Sequence, residues 1–145
     1  MKKFALLALA IGFLAVAAPA LSQEHYTEGP VWRVNYLNVK PGKMGASLKD
    51  LRENFSKVSA VAKAQGLILD FKVYLNATSD APDDWDIATA ILYKSWGQLD
   101  GLAVQMDPIT LKHYGSADAR TKANDARLEL WTVLSSNLAR EVTMR

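Results

Sequence analysis

The sequence has no cysteine. That absence excludes a disulfide-stapled scaffold, a thiolate nucleophile and a cysteine-ligated metal. It also excludes a lipoprotein, whose lipid is carried by a cysteine at the cleavage site. Histidine is almost as scarce, with only His25 and His113. Neither stands in a His-x-x-His or His-Glu pair, so zinc has no ligand set. No Gly-x-Ser-x-Gly elbow positions a serine, and no phosphate loop or dinucleotide fingerprint is present. The sequence implies no metal and no cofactor.

Cationic runs are missing as well. The chain has 17 Lys and Arg against 15 Asp and Glu. Lys2 and Lys3 lie in a first segment that holds no acid, so residues 23–145 balance at 15 against 15. A neutral domain without clustered Lys and Arg is poorly suited to nucleic acid or an anionic membrane surface, because both recruit partners through such clusters.

One long hydrophobic run is present, and it is at the start. Met1-Lys2-Lys3 is followed by an apolar stretch from Phe4 to Ala18, interrupted only by Gly12. Pro19 breaks it, and Ala20-Leu21-Ser22 places small residues where a signal peptidase reads them. Residues 1–22 are therefore expected to be a secretory signal peptide cleaved before Gln23. The alternative, an uncleaved anchor, needs ~20 apolar residues to span a bilayer, and this run is shorter. An Ala-rich leader of this type looks bacterial. It predicts a periplasmic or secreted protein with no membrane attachment after cleavage, leaving residues 23–145 as a single domain.

Periodicity organises that domain. Val31 to Val39 reads as a strand, followed by a turn at Lys40-Pro41-Gly42-Lys43. Met44, Leu48, Leu51, Phe55, Val58 and Ala62 are spaced as one stripe of a helix, with Gly66 as its stop. Period two returns over Leu67 to Leu75, with Leu67, Leu69, Phe71, Val73 and Leu75 on one side. Asp84 to Tyr93 is a strand that is apolar on both faces, as in a strand covered from both sides. Ser95 and Gln98 form a candidate capping box for a second helix, bounded by Pro108. Ala119, Ala123, Ala126, Leu130 and Val133 continue helical spacing from about Ser116 to Leu134, and Leu138 to Met144 closes as a strand.

The order β-α-β-β-α-(α)-β predicts an α+β fold of ferredoxin-like type, an antiparallel sheet with helices on one face. The other face cannot be wholly polar, since the third strand is apolar on both sides. A second copy of the chain is its simplest cover.

Three short stretches, Tyr26-Thr27-Glu28-Gly29-Pro30-Val31-Trp32, Val39-Lys40-Pro41-Gly42 and Asp83-Asp84-Trp85-Asp86, carry a resemblance to the dimeric α/β-barrel superfamily, most closely to its small exported bacterial members of unknown function. The resemblance covers most of residues 26–145. It implies two ferredoxin-like subunits with their sheets pressed together. The superfamily includes cofactor-free monooxygenases, heme enzymes and proteins without known activity, and no branch motif is present that transfers catalytic residues here.

Candidate binding residues are few. Trp32 and Tyr36 share one face of the first strand, and Arg33 and Asn35 share the other. If buried, Arg33 and Asn35 need partners, from a ligand or from a polar seam between subunits. Asp80, Asp83, Asp84 and Asp86 cluster without the glycine turn and distant glutamate of a calcium loop. Most of that cluster reads as solvated loop, but Asp86 opens a strand opposite Trp85. His113 reads either as an acid–base or heme-ligating group or as a surface histidine. Trp32, Arg33, Asn35, Tyr36, Trp85, Asp86 and His113 are the expected ligand-binding set. The leading expectation is an exported homodimer that binds a small apolar or aromatic molecule between sheet and helices, with Trp32, Tyr36 and Trp85 lining the cavity. The alternative is a cofactor-free monooxygenase-like enzyme, for which Arg33, Asn35, Asp86 and His113 would have to converge.

Overall fold

The computed structural model describes residues 25–78 and 81–145. The expected signal peptide and Asp80 lie outside the described residues. The first strand, β1 (Tyr26–Val39), starts earlier than its β-branched run suggests and passes through Gly29-Pro30. Pro30 has no N–H to donate, and the pairing of β1 with the last strand is irregular between Glu28 and Val31. Gly29 relieves a close approach there: a Cβ would lie 3.1 Å from the Glu141 carbonyl oxygen, so a larger residue would push β4 back by a few tenths of an ångström.

The striped segment forms one continuous helix over residues 44–64, built of α1 (Met44–Asp50), a π-turn (Leu51–Ser56) and α2 (Lys57–Ala64). The expected stripe holds from Leu51 to Ala62 and fails before it. Met44 and Leu48 are exposed, and Ser47 is fully buried in their place. A π-turn holds an extra residue relative to an α-turn, so the face ahead of it is rotated away from the face behind it. Gly66, at φ +73°, ends the helix in the left-handed conformation, with Leu67 N–H bonded to the Ala62 carbonyl at 3.0 Å. This is the expected glycine stop.

The second strand, β2 (Asp70–Leu75), begins three residues later than expected. Ile68 is buried and Leu69 exposed, the reverse of the predicted alternation, because residues 67–69 are still a connection. The third strand, β3 (Ile87–Tyr93), is buried on both faces through Ile87, Ala88, Thr89 and Ala90, as its sequence indicates.

The capping box does not form. The Ser95 side chain makes no cap bond, and residues Trp96–Leu99 are a single 3₁₀ turn. Gln98 instead accepts from Lys94 N–H at 2.8 Å and donates to the Gly66 carbonyl at 3.0 Å. The helix α3 (Leu102–Tyr114) then runs straight through Pro108, which was expected to bound it, and carries His113 in its last turn. The carbonyl that Pro108 leaves without a donor belongs to Val104, which is exposed and so can be served by water. Ser116 caps α4 (Ala117–Arg127), accepting from Ala119 N–H at 3.1 Å.

The fourth strand, β4 (Trp131–Met144), corrects the last expectation: the helix ends at Arg127 rather than Leu134, and the strand starts at Trp131 rather than Leu138. Trp131, Thr132 and Val133 pair with Val39, Asn38 and Leu37. That ladder overrides a helical spacing that was only a local pattern.

The sheet order is β2-β3-β1-β4, all antiparallel, with the helices on one face. This is the ferredoxin-like α+β fold. Paired residues share a face, so Arg33, Asn35, Leu37, Thr89, Ile91, Tyr93, Trp131 and Val133 point toward the helices. Trp32, Val34, Tyr36, Ala88, Ala90 and Leu92 occupy the other face. The core forms two clusters, one around Ala62, Ile68, Tyr93, Leu102 and Ile109, the other around Leu37, Leu51, Ile87 and Trp131.

Two outcomes follow from this packing. Ile87→Ala should lower the unfolding free energy by about 2–5 kcal/mol in urea titration, whereas Val104→Ala on the exposed side of α3 should stay within about 0.5 kcal/mol of wild type. Burial pushes the Tyr93 phenol above its ordinary pKa of 10.0, against a smaller opposing effect of Arg33. The folded state therefore holds this proton longer than the unfolded state, and stability falls as pH rises beyond the unfolded phenol pKa. Tyr93→Phe should flatten that alkaline fall, read as melting temperature between pH 9 and 11.

Candidate functional site

Between the two core clusters the helices stand away from the sheet and leave an open-sided cavity of about 630 Å³. Its floor is Asn35 and Leu37 of β1, Thr89 and Ile91 of β3, and Trp131 and Val133 of β4. One wall is the π-turn and the start of α2, which present Leu51, Asn54, Phe55, Val58 and Ser59. The opposite wall is Met106, Thr110 and Tyr114 of α3 with Arg120, Asn124 and Arg127 of α4.

The π-turn shapes the first wall. It widens the inward face, so that Asp50 and Asn54 reach the cavity beside Leu51 and Phe55, and such turns are frequent at functional sites. Asn54 Nδ2 donates to Asp50 Oδ1 at 2.6 Å. Arg127 Nε donates to Asp50 Oδ2 at 2.8 Å, and its two other nitrogens donate to Asn124 Oδ1 at 2.7 Å and to the Tyr114 hydroxyl oxygen at 2.6 Å. The side chains of Arg127 and Asp50 are only 21% and 16% exposed. Burial alone penalises the guanidinium charge, but the bonds from Asp50 and Tyr114 outweigh it and hold the Arg127 pKa above its usual value. Behind this wall, Asn54 Oδ1 lies 2.8 Å from His113 Nε2.

A second ion pair sits nearby. Arg120 Nη1 donates to Asp107 Oδ1 at 2.6 Å and to Thr110 Oγ1 at 2.8 Å. The cavity thus has two guanidiniums, each matched by a carboxylate. Its remaining hydrogen-bonding capacity is neutral. The Tyr114 oxygen is taken by Arg127, which leaves the phenolic proton free to donate. Thr89 Oγ1 accepts from Asn35 Nδ2 at 3.4 Å, leaving its own proton and the Asn35 carbonyl oxygen. The Ser59 hydroxyl adds one more group, beside Phe55 and Val58 on the first wall. Among the described residues no three His, Asp or Glu side chains gather to hold a metal.

The seven residues expected from sequence are not brought together. Asn35 lines the cavity. Arg33 shares its face one step further along β1, with its guanidinium 5.6 Å from the Tyr93 ring centre. Trp32, Tyr36 and Trp85 do not line the cavity, because β1 alternates and Trp32 and Tyr36 point to the opposite face of the sheet. There Tyr36 and Trp85 stack edge to face at 5.5 Å, and Lys72 lies 5.3 Å from the Trp32 ring centre. Asp86 fastens a strand end, accepting from Val39 N–H at 2.7 Å. His113 belongs to a separate pocket of about 500 Å³, with Lys57, Val61 and Pro108. Arg33, Asn35, Asp86 and His113, the four groups an oxygenase of the expected kind would need together, do not converge.

The residues that do form the walls were missed, although α4 carried a signal. Arg120, Asn124 and Arg127 are spaced 4 and 3, a polar stripe along one helix face. The alanines on the neighbouring face drew the reading instead. Asp50 and Asn54 flank the apolar stripe of the first helix, and only the π-turn turns them inward.

No protein-family model matches the chain, and no curated protein matches it. Solved structures with a similar chain path include HapK from Hahella chejuensis, at 9% identity and TM-score 0.47 over 77% of this chain and 91% of that one. A dimeric protein of unknown function and ferredoxin-like fold from Bacteroides fragilis matches at 14% identity and TM-score 0.43, over 83% of this chain and 100% of that one. A hypothetical protein of Arabidopsis thaliana matches at 10% identity and TM-score 0.46, over 86% and 94%. Likeness at this level concerns the course of the chain and says nothing of activity.

The ion pair at the wall is testable by a double-mutant cycle. Asp50→Ala and Arg127→Ala should each cost about 3 kcal/mol by leaving a mostly buried charge unpaired. The double variant should cost less than their sum by about 1–3 kcal/mol, and strict additivity in urea titration would remove the pair from the architecture.

Proposed function

We propose that this protein is an exported binding module, acting as a homodimer, that takes a small neutral aromatic or apolar molecule bearing one or two hydroxyl or carbonyl groups. The observation that carries this reading is the cavity itself. Ligand sites are usually concave, largely apolar spaces of about 300–1,000 Å³ with a few convergent polar groups, and the 630 Å³ space between sheet and helices fits that description. The class of ligand follows from the charge balance. Both guanidiniums are already neutralised by a carboxylate, so an anionic or a cationic guest would bring a net charge into the cavity with no opposite charge left over to balance it. A neutral guest brings no such charge and finds the Tyr114, Thr89 and Ser59 hydroxyl protons and the Asn35 carbonyl oxygen unspent.

The dimer rests on the helix-free face of the sheet. Trp32, Val34, Tyr36 and Leu92 lie there beside Ala88 and Ala90, a surface more apolar than a lone domain commonly leaves to water. Two such faces pressed together give the dimeric α/β-barrel arrangement. The proposal of export to the periplasm or outside the cell rests on the sequence of the leader, residues 1–22. Edman sequencing of the protein from its native host should begin at Gln23, and native mass spectrometry should give twice the mass of residues 23–145.

Trp131 lies in the cavity floor, whereas Trp32, Trp85 and Trp96 lie elsewhere. Titration with 2-naphthol should quench tryptophan emission saturably and raise the melting temperature. Trp131→Phe should abolish the quench and keep the thermal shift. The anion 2-naphthoate should act at least about tenfold more weakly through Trp131, since burying a carboxylate beside Asp50 and Asp107 costs more than 1.4 kcal/mol. A cavity that admits neither compound at saturating concentration would overturn the reading.

A further inference from the structure

A different part of the same sheet face holds an unbalanced charge. Arg33 of β1 pairs across the ladder with Leu138, and Val31 pairs with Arg140 of β4. The two arginines are therefore diagonal neighbours on the helix-side face, with Cα atoms about 7–8 Å apart in such a pair. Each guanidinium is set against an aromatic ring. That of Arg33 is 5.6 Å from the centre of Tyr93, and that of Arg140 is 5.3 Å from the centre of Trp96. Stacking of this kind fixes the plane of a guanidinium and leaves its edge for hydrogen bonding.

The carboxylates do not match. Arg140 pairs with Glu28 through Nη1, while its Nε is buried and has no hydrogen-bond partner among the described residues. Arg33 makes no hydrogen bond or ion pair among the described residues, and the Tyr93 ring is its only specific contact. Two neighbouring cations thus share one anion, and one of them keeps an unsatisfied buried N–H. In the cavity walls above the sheet, by contrast, charges are paired one to one, as at Asp50–Arg127 and Asp107–Arg120.

We infer that Arg33 and Arg140 form a second binding site, separate from the cavity, for a planar or tetrahedral oxyanion, either a carboxylate or a phosphate group. The anion accepts from the free Arg33 fork and from the buried Arg140 Nε. Bidentate acceptance by such oxygens is the contact for which arginine is suited. Glu28 is the resident competitor and holds Arg140 in place when the site is empty. The site does not depend on the cavity or its ligand, since neither arginine belongs to the cavity walls.

The test is isothermal titration of the protein with sodium phosphate and with sodium acetate, at ionic strength held constant with sodium chloride. Melting temperature is followed in parallel. At least one of the two anions should bind saturably and raise the melting temperature. Tighter binding of phosphate assigns a phosphate-bearing ligand, and tighter binding of acetate assigns a carboxylate. Arg33→Gln should weaken binding about tenfold or more, the scale of a lost charged hydrogen bond. Arg33→Lys keeps the charge, loses the fork and should also bind more weakly. Glu28→Gln removes the competitor and should bind more tightly, a gain that mere structural damage does not produce. No saturable heat with either anion, equal effects from chloride, or an Arg33→Gln affinity within twofold of wild type would each overturn the site.

Discussion

The ion pair between Asp50 and Arg127 is the contact on which the helix layer depends. It joins the end of α1 to the end of α4, and through Asn54 and Tyr114 it takes in the π-turn and α3. The helices that it links rest on the sheet through two core clusters that lie apart. Apolar contact could close the gap by pulling the layers together. A mostly buried pair of charges resists that collapse, because either partner left alone in apolar surroundings is far costlier than the pair. Its geometry therefore holds the walls at the width the cavity requires. The same bond that fixes the layer also removes charge from the space inside it.

The sheet separates two tasks by simple alternation. From Val31 to Val39 of β1, odd-numbered residues face the helices and even-numbered residues face away. Asn35 and Leu37 thus belong to the cavity floor, while Trp32, Val34 and Tyr36 belong to the opposite surface. A single strand supplies both the interior site and the proposed subunit contact, and a one-residue slip would exchange them. Both neighbours, β3 and β4, pair with β1 in antiparallel register and hold it against such a slip.

The sequence disclosed the architecture more readily than the site. The order of elements was readable because the stripe from Leu51 to Ala62 and the doubly apolar run from Ile87 to Tyr93 reflect burial directly. Errors fell where a local pattern met a stronger distant one. Ala119, Ala123, Ala126, Leu130 and Val133 keep helical spacing, yet the last of these sits in a ladder opposite Leu37. Pro108 reads as a boundary, yet it occupies a turn whose orphaned carbonyl faces water. For the site, Asn35 was recognisable as a polar residue on an inward strand face. Asp50 and Asn54 were not, because a single extra residue in the helix, absent from any periodicity rule, decides which way they point. Aromatics drew attention to Trp32 and Trp85, whose faces could be assigned only after the pairing partners were known.

The pairing of the first strand with the last has a further consequence for how the molecule comes into being. Trp32 and Glu141 share a hydrogen bond although they stand 109 residues apart in the chain, and β1 finds its second neighbour only when β4 exists. Everything between them, including the hairpin of β2 and β3, can form earlier and more locally. Contacts so distant along the chain are slow to assemble, since the loop they close must be ordered before they return any stabilisation. The sheet thus remains unfinished, with β1 an open edge, until the final residues are available. Until then the middle of the chain can hold only its local contacts, so completion of the sheet is the last step of folding rather than its nucleus.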